Sequence, residues 1–565
     1  MPQWGERSEP PICDGSWQVL VPASRRGTFK HLEPPGGGLG GGSRLLLAPF
    51  SPATGVISAA FRTTRRRASP ALQTRRPTSS IRDLAGLIRQ LRELLPDESL
   101  LTRTEEVRPF ECDGLTIFRR QPRLVALPQT EAQVCRILAL CHEARVPVVT
   151  RGAGTGLSGG ATPHEEGLLL VLSKLNRILA LDPLARTARV QPGVRNLAIS
   201  EAARSHGLYY APDPSSQIAC SIGGNVAENA GGVHCLKYGL TVHNILHLRV
   251  ATIAGEMLEI GSEALDSAGF DLLALMTGSE GMLGVITEIT VKLLPRPECA
   301  RVIVAGFVEC EHAAQAVAAI IGAGIVPAGL EMLDRAAVAA VEEFAHAGYP
   351  LDAAAVLLCE SDGTSDEVVD EIERMQRVLE ACGATSMVVS NDEQERLRLW
   401  KGRKSAFPAM GRIAPDYYCM DGTIPRKRVA GVLTRISELS RVYGLACANV
   451  FHAADGNLHP LILFDTRKPG ELERAQRFGA DILELCLEVG GTISGEHGVG
   501  LEKIDSMCTQ FGRAELECFH GIKRAFDPLS LLNPGKAVPT LHRCAELGAM
   551  HVQGGRLPHP ELPRF

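Results

Sequence analysis

Two histidines stand seven positions apart across a turn signal, in His452-Ala453-Ala454-Asp455-Gly456-Asn457-Leu458-His459. Downstream, Glu496 and His497 are adjacent within Ser494-Gly495-Glu496-His497-Gly498-Val499-Gly500. Asp-Gly between apolar runs is the strongest short-range hairpin signal. With Asp455 and Gly456 as a two-residue loop, His452 and His459 become a directly opposed cross-strand pair on one face, about 5 Å apart at Cβ. Two imidazoles at that spacing grip a divalent metal, and a glutamate such as Glu496 is a sensible third ligand. Three protein ligands leave a coordination position open for chemistry. Adjacent residues on an extended strand point to opposite sides, so Glu496 and His497 serve one site only if the backbone is loosened. Gly495, Gly498 and Gly500 supply that freedom.

A second chemical signal lies upstream, in Arg151-Gly152-Ala153-Gly154-Thr155-Gly156-Leu157-Ser158-Gly159-Gly160. It contains G-x-G-x-x-G, but the nicotinamide fingerprint needs a helix to begin inside the glycines. Here Ala161 to Gly167 follows and then the apolar run Leu168 to Leu172, which reads as strand, loop, strand. Bare backbone approaches a pyrophosphate closely and aims N–H groups at it, so the pattern predicts a dinucleotide held by a loop rather than by a helix end. Further glycine sets occur at Ser221-Ile222-Gly223-Gly224-Asn225, Asn229-Ala230-Gly231-Gly232 and Gly278-Ser279-Glu280-Gly281-Met282-Leu283-Gly284. Each is a run of small residues between apolar segments, and together they could line one long cleft.

The elements that must position these groups are legible in outline. At 565 residues the chain exceeds one core, so two or more domains are expected. Hydrophobic content of 45% and charged content of 22% are those of a globular protein. A net charge of -5 argues against binding driven by neutralising nucleic-acid phosphates. No apolar run of about 20 residues marks a membrane span. The 16 cysteines are scattered, with no C-x-x-C, which excludes the common zinc and ferredoxin-type cluster motifs. They read as reduced, most of them packing the core.

Residues 1–80 differ from the rest: a Pro- and Gly-rich tract runs from Pro34 to Ser43, and no acidic residue occurs from Pro34 to Arg82. The segment reads as a disordered extension. An organellar transit peptide has a similar bias, but Glu6, Glu9 and Asp14 weaken that reading. Beyond it, Thr130 and Gln133 form a capping-box signature ahead of a helical face carrying Val134, Ile137, Leu138 and Cys141. Strands are predicted over 146–150, 187–191, 208–210 and 286–294. A second region starts near Arg301, with strands over 302–308 and 354–359 leading into helices over 313–323 and 366–382. Ferredoxin-like βαβ units fit that alternation.

The three glycine clusters, the histidine turn, the Glu-His loop and Asp527-Pro528 with Asn533-Pro534-Gly535-Lys536 occur in an order that resembles the FAD-linked oxidases of the vanillyl-alcohol-oxidase and p-cresol-methylhydroxylase fold. Within them the chain is most similar to the D-lactate and D-2-hydroxyglutarate dehydrogenase branch and to the FAD subunits of bacterial glycolate oxidases. The resemblance implies an α+β architecture: a helical lead-in over 81–118, a two-subdomain FAD-binding domain over 119–297, a C-terminal ferredoxin-like cap over 298–536 that holds substrate, and a tail over 537–565. It implies FAD contacts from Arg151, Gly152, Gly154, Thr155, Gly156, Ser158, Gly159, Pro212, Gly223, Gly224, Asn229, Gly232, Gly281 and Val285. No histidine lies between Arg151 and Gly160, so the FAD is expected to be non-covalent. Carried over residue by residue, the metal ligands are His452, His459 and Glu496, holding zinc or manganese, and the general base is His497. An arginine that pairs with the substrate carboxylate corresponds to Arg403. The threonine and lysine that accompany it in that branch fall at Phe407 and near Cys419, which suits a smaller acid.

The resemblance thus implies oxidation of a small 2-hydroxy acid, glycolate or D-lactate, to the 2-oxo acid. The α-hydrogen leaves as hydride to flavin, and His497, with an ordinary pKa near ~6.5, takes the hydroxyl proton. Electrons are expected to pass to an iron–sulfur partner subunit and a second flavoprotein subunit, and on to quinone. The protein would then be cytoplasmic, peripheral at the inner membrane through its partners, and would bind no nucleic acid. His234, Tyr417 and Tyr418 are further candidates for the pocket. Three alternatives remain at this point: a D-lactate or D-2-hydroxyglutarate dehydrogenase working without such partners, a metal-dependent hydrolase built on the two histidines and Glu496, and a non-catalytic FAD-binding subunit.

Overall fold

The computed structural model describes residues 83–264 and 268–540; the expected extension over 1–80 and the tail beyond 540 lie outside them. The Thr130 and Gln133 side chains close the capping box of helix Glu131–Ala144. The buried stripe of that helix, Val134, Ile137, Leu138 and Cys141, packs with Leu87 and Leu91 of helix Leu84–Leu94 on a four-stranded sheet. Its strands run in the order Leu100–Leu101, Leu124–Ala126, Leu168–Val171, Val148–Arg151. The last three are parallel. Parallel neighbours need a crossover of a dozen or more residues. Here the crossover between Val148–Arg151 and Leu168–Val171 is the glycine-rich segment itself, with no helix inside it. The predicted strand, loop, strand arrangement is therefore observed.

A second, antiparallel sheet orders Ile178–Asp182, Thr187–Val190, Val285–Lys292, Ile245–Ala251 and Met257–Gly261. Against it packs a short helix, Ile222–Glu228. The sequence pattern suggested only a run of small residues there. In the structure Gly223 and Gly224 form the first turn of this helix, which ends on Asn229 in the left-handed region at φ 53°.

The cap is a seven-stranded sheet in the order Ser386–Val389, Cys299–Phe307, Ala355–Gly363, Gly329–Asp334, Cys447–His452, Pro460–Phe464, Asp416–Cys419, antiparallel throughout. Successive strand residues alternate between two cores, as a period of two requires. Ile303, Ala305, Leu357 and Phe451 join one, with helices Cys310–Gly322, Ser365–Ala381, Val429–Tyr443 and Glu471–Glu488. Val302, Val304, Leu358 and Val450 join the other, with helices Arg335–Ala345 and Glu393–Lys404. Burial on both faces is why these strands read as continuous apolar runs.

The chain then returns to its first sheet. Val148 N donates to Leu531 O at 2.8 Å and Asn533 N to Val148 O at 2.8 Å. Leu531 and Leu532 thereby complete the core of the four-stranded sheet. Among the described residues no helix is long and apolar enough to cross a membrane. Among the described residues, the cysteines other than Cys508 are free.

Candidate active site

The histidine turn differs from the expected hairpin. Strands Cys447–His452 and Pro460–Phe464 pair with Ala448 opposite Leu461 and Asn449 opposite Pro460, and His452 bridges Asn457. His452 therefore faces Asn457, not His459, and the turn is Ala453 to Gly456, not Asp455-Gly456. Two interactions favour the longer loop. Asp455 Oδ1 accepts from Asn457 N at 3.0 Å, and Ala454 N donates to Leu330 O of the neighbouring strand at 3.2 Å. Gly456 adopts the left-handed φ of 82° that such a loop needs. The register slips by two, an even number, so both histidines keep the same face as diagonal neighbours. Their ring centroids lie 5.1 Å apart.

The predicted triad does converge. Glu496 Oε1 lies 3.3 Å from His452 Nε2 and 3.1 Å from His459 Nε2. Ligands about 2.1 Å from a tetrahedral ion stand roughly 3.4 Å from one another, so the donor set fits a divalent metal. The outer partners fix the tautomers that such an ion needs. His452 Nδ1 faces Glu331 Oε1 at 2.7 Å and His459 Nδ1 faces the Met420 carbonyl at 3.3 Å. Each Nδ1 therefore carries its hydrogen, and both Nε2 atoms face the carboxylate. Lone pairs facing a carboxylate repel unless a cation, a metal or a proton, sits between them. Burial opposes the charge on Glu496, but the two imidazoles outweigh it and hold that carboxyl well below its usual range. Glu496 Oε2 also accepts from Gly231 N at 3.0 Å, which ties this loop of the cap to a glycine set of the first domain.

A second group, Cys419, His459 and His497, also brings its donor atoms within 4.8 Å. The His459 and His497 rings are stacked, 5.1 Å apart and 9° from parallel. Parallel rings cannot both aim an in-plane lone pair at one ion, so this group does not suit a metal.

The Glu-His loop is held by a residue that the sequence reading missed. Asp421, fully buried, accepts from His497 N at 2.9 Å, Glu496 N at 3.2 Å and Ser494 Oγ at 2.6 Å. Lys503 Nζ, also fully buried, donates to Asp421 at 2.9 Å and to Gly498 O at 2.9 Å. Burial works against the charge on Asp421, but Lys503 and the nearby imidazoles outweigh it and hold the carboxyl far below normal. The His497 side chain lines the cavity, and its Nδ1 is buried without a partner. Burial, aided by His459 and Lys503 against the pull of Asp421, lowers its pKa to about 4. The expected ordinary value near ~6.5 is thus replaced by a lower one.

These groups open onto a cavity of ≈ 400 Å³ between the glycine segments and the cap. His459, Glu496 and His497 line it, while His452 sits just behind. From the first domain the wall includes Gly152, Gly154, Thr155, Gly156, Gly223, Gly224 and Gly281, seven of the expected flavin contacts. A Cβ on Gly156 would meet nothing within 4 Å, and one on Gly281 nothing nearer than 3.8 Å. Bare backbone is thus presented to open space, the arrangement a dinucleotide requires.

The remaining expected contacts stand off the wall, each for a visible reason. Arg151 Nη1 donates to Cys112 O at 2.6 Å. Ser158 is fully buried, and Gly159 packs on Leu501 and Phe118. The Pro212 carbonyl accepts from Asn196 at 3.1 Å, and Asn229 Oδ1 accepts from Val242 N at 2.9 Å. Gly232 packs on the Asp213 backbone, and Val285 is buried at the start of its strand.

Arg403 stands behind the wall rather than on it. It is 2% exposed and absent from the cavity wall. Its Nε donates to Glu331 Oε2 at 2.7 Å, and Glu331 in turn holds His452. Arg403 therefore supports His452 through Glu331, with Nη2 left unpaired. The arginine on the wall of the expected pocket is replaced by the next residue, Lys404, which lines the cavity with Phe407 and Tyr417. His234 instead binds Asp213 and Glu360, and Tyr418 is buried in the cap core. Glu331 and Lys503 each carried a faint signal: a charge between Leu330 and Met332 in a strand, and a lysine just past the Glu-His loop.

Comparison with known proteins adds an independent finding. Residues 122–261 match the family model "FAD binding domain" and residues 296–537 match "FAD linked oxidases, C-terminal domain". The chain is 62% identical to the glycolate oxidase subunit GlcD of Escherichia coli K12 over 86% of its own length and 97% of that protein's. It is 31% identical to a D-lactate dehydrogenase of Anaerostipes hadrus over 80% and 96% respectively. In shape it resembles p-cresol methylhydroxylase with substrate bound, at a TM-score of 0.69 and 18% identity, over 81% of this chain and 97% of the other.

Proposed function

The chain belongs to the FAD-linked oxidases, and from that premise we propose that it oxidises glycolate to glyoxylate as the flavin-bearing subunit of a larger dehydrogenase. It is an FAD-dependent oxidoreductase of hydroxy acids. The observation that carries the proposal is the meeting of Glu496 and His497 with the glycine-lined wall in one cavity. FAD, when bound there without a covalent link, accepts the hydride that leaves the substrate carbon. A divalent metal, zinc or manganese, held by His452, His459 and Glu496, would lower the pKa of the substrate hydroxyl.

The chain's own residues do the rest. His497 takes the hydroxyl proton, since its low pKa keeps the ring neutral and its buried Nδ1 lacks a partner. Asp421 and Lys503 fix the loop so that Glu496 turns to the ligand set while His497 turns to substrate. Lys404 pairs with the substrate carboxylate at the cavity mouth, and Arg403 orients Glu331 and His452. Phe407 and Tyr417, 6.1 Å apart edge to face, narrow the same wall and leave room for a short acid. Electrons then pass to an iron–sulfur subunit and a second flavoprotein subunit, and on to membrane quinone. The lack of any cluster-type cysteine motif in this chain supports a separate carrier.

The purified protein should be yellow, and anaerobic glycolate should bleach it faster than D-lactate or L-lactate does. A colourless protein active as a hydrolase would refute the flavin reading. A yellow protein bleached by no hydroxy acid would reduce it to a cofactor-binding subunit.

A further inference from the structure

We propose that Glu228 is a proton-bearing acid that donates a hydrogen bond to the bound flavin and so favours its reduced state; this rests on the flavin reading above. Glu228 ends helix Ile222–Glu228 and lines the cavity, yet its Oε2 is buried with no partner. Two glycines make room for the carboxyl group. A Cβ on Gly160 would stand 2.8 Å from Oε1, and one on Gly498 would stand 2.1 Å from Oε2. The carboxyl is thus lodged at the seam between the cofactor loop and the Glu496–His497 loop.

Its neighbours determine which acid keeps a proton. The same Gly498 position lies 3.1 Å from Glu280 Oε1, so the two carboxyl groups approach within 5.2 Å at most. Glu280 is well served: Val499 N and Gly500 N each donate to it at 2.7 Å. No donor serves Glu228 Oε2. Two carboxyl groups this close and shielded from solvent do not both ionise, and the one without donors holds the proton. The other charged groups facing the site are Asp113, Lys503 and Lys536. Lys503 is committed to Asp421 and Gly498 O, and Lys536 to the carbonyls of Gly160 and Thr162. Burial first, then Glu280 and Asp113, push the Glu228 pKa well above its ordinary value.

The role is a hydrogen bond, with no proton transferred. Hydride arrival adds negative charge to the flavin. A neutral acid donor stabilises that charge, whereas an ionised carboxylate would repel it.

The test compares wild-type holoenzyme with Glu228→Gln and Glu228→Leu, reading FAD content, absorption spectrum and the reduction equilibrium against a reference dye from pH 6 to 9. Gln keeps a neutral donor, so its reduction constant should stay within about threefold of wild type at pH 6 to 7. Leu should disfavour reduction tenfold or more, about 30 mV for a two-electron couple. Wild type should show a further fall in potential at alkaline pH as Glu228 ionises, and Gln should lack it. Easier reduction in Gln by tenfold at neutral pH would mean that Glu228 is ionised, and the proposal would fail. Identical potentials in all three would equally overturn it. Should Leu lose its FAD, the Gln comparison and the alkaline break still decide. Wild-type protein that binds no FAD would overturn the flavin reading itself, a separate result.

Discussion

His497 is held neutral by burial, and its pH dependence follows from the sign of that shift. A pKa lowered to about 4 means that the basic form survives as pH falls from 7 toward 5. The acid limb of kcat/KM for glycolate should therefore lie near pH 4 rather than near the ordinary ~6.5. Stopped-flow flavin reduction from pH 4 to 8 measures it, and a limb between 6 and 7 would contradict the assignment. Replacing His497 with Ala should slow reduction at least ~100-fold while the yellow colour remains. Asp421→Asn is expected to act differently. It takes from buried Lys503 the carboxylate at 2.9 Å and leaves only Glu502 at 3.6 Å, so urea unfolding should reveal a loss of about 3–5 kcal/mol. At this scale the sequence displayed the chemistry-bearing types, two histidines and a Glu-His pair, because their spacing is local. It hid Asp421 and Glu331, since these reach their partners across 76 and 121 positions. It hid the Arg403 partner for a related reason: a helix position does not reveal which buried acid will pair with the guanidinium.

Among elements, the histidine turn shows both the power and the limit of pattern reading. Asp-Gly located the turn and its parity placed both imidazoles on one face. The loop length was wrong because Leu330, on another strand, captures Ala454 N. Gly456→Ala tests the observed turn. The new Cβ would meet Ile424 O at 2.1 Å, at a φ of 82° that side chains avoid. A loss of about 1–3 kcal/mol in thermal or chemical unfolding is expected, with weakened metal retention. The glycine crossover was legible as strand, loop, strand since an apolar run follows the loop directly. Helix Ile222–Glu228 was not, because two glycines in its first turn mask the helical pattern.

For the molecule as a whole, the two-domain architecture and the order of motifs were readable, but the closure between domains was not. It depends on contacts such as Gly231 with Glu496, and Glu280 with Val499 and Gly500. Stripping divalent ions with a chelator should leave the flavin spectrum in place and abolish bleaching by glycolate. Zinc or manganese should restore it, and recovery without added metal would count against the triad. The return of Leu531 to Asn533 onto Val148 bears on biosynthesis. A ribosome adding roughly 5–20 residues per second needs on the order of 20–80 s to travel between those partners. The nascent first sheet must wait that long with one border unsealed. The Asn533 amide, which reaches the Gly160 and Glu280 carbonyls at 3.2 and 2.6 Å, arrives with the same late segment. Cofactor capture should then wait for that segment, and a chain stopped before Leu531 should emerge colourless.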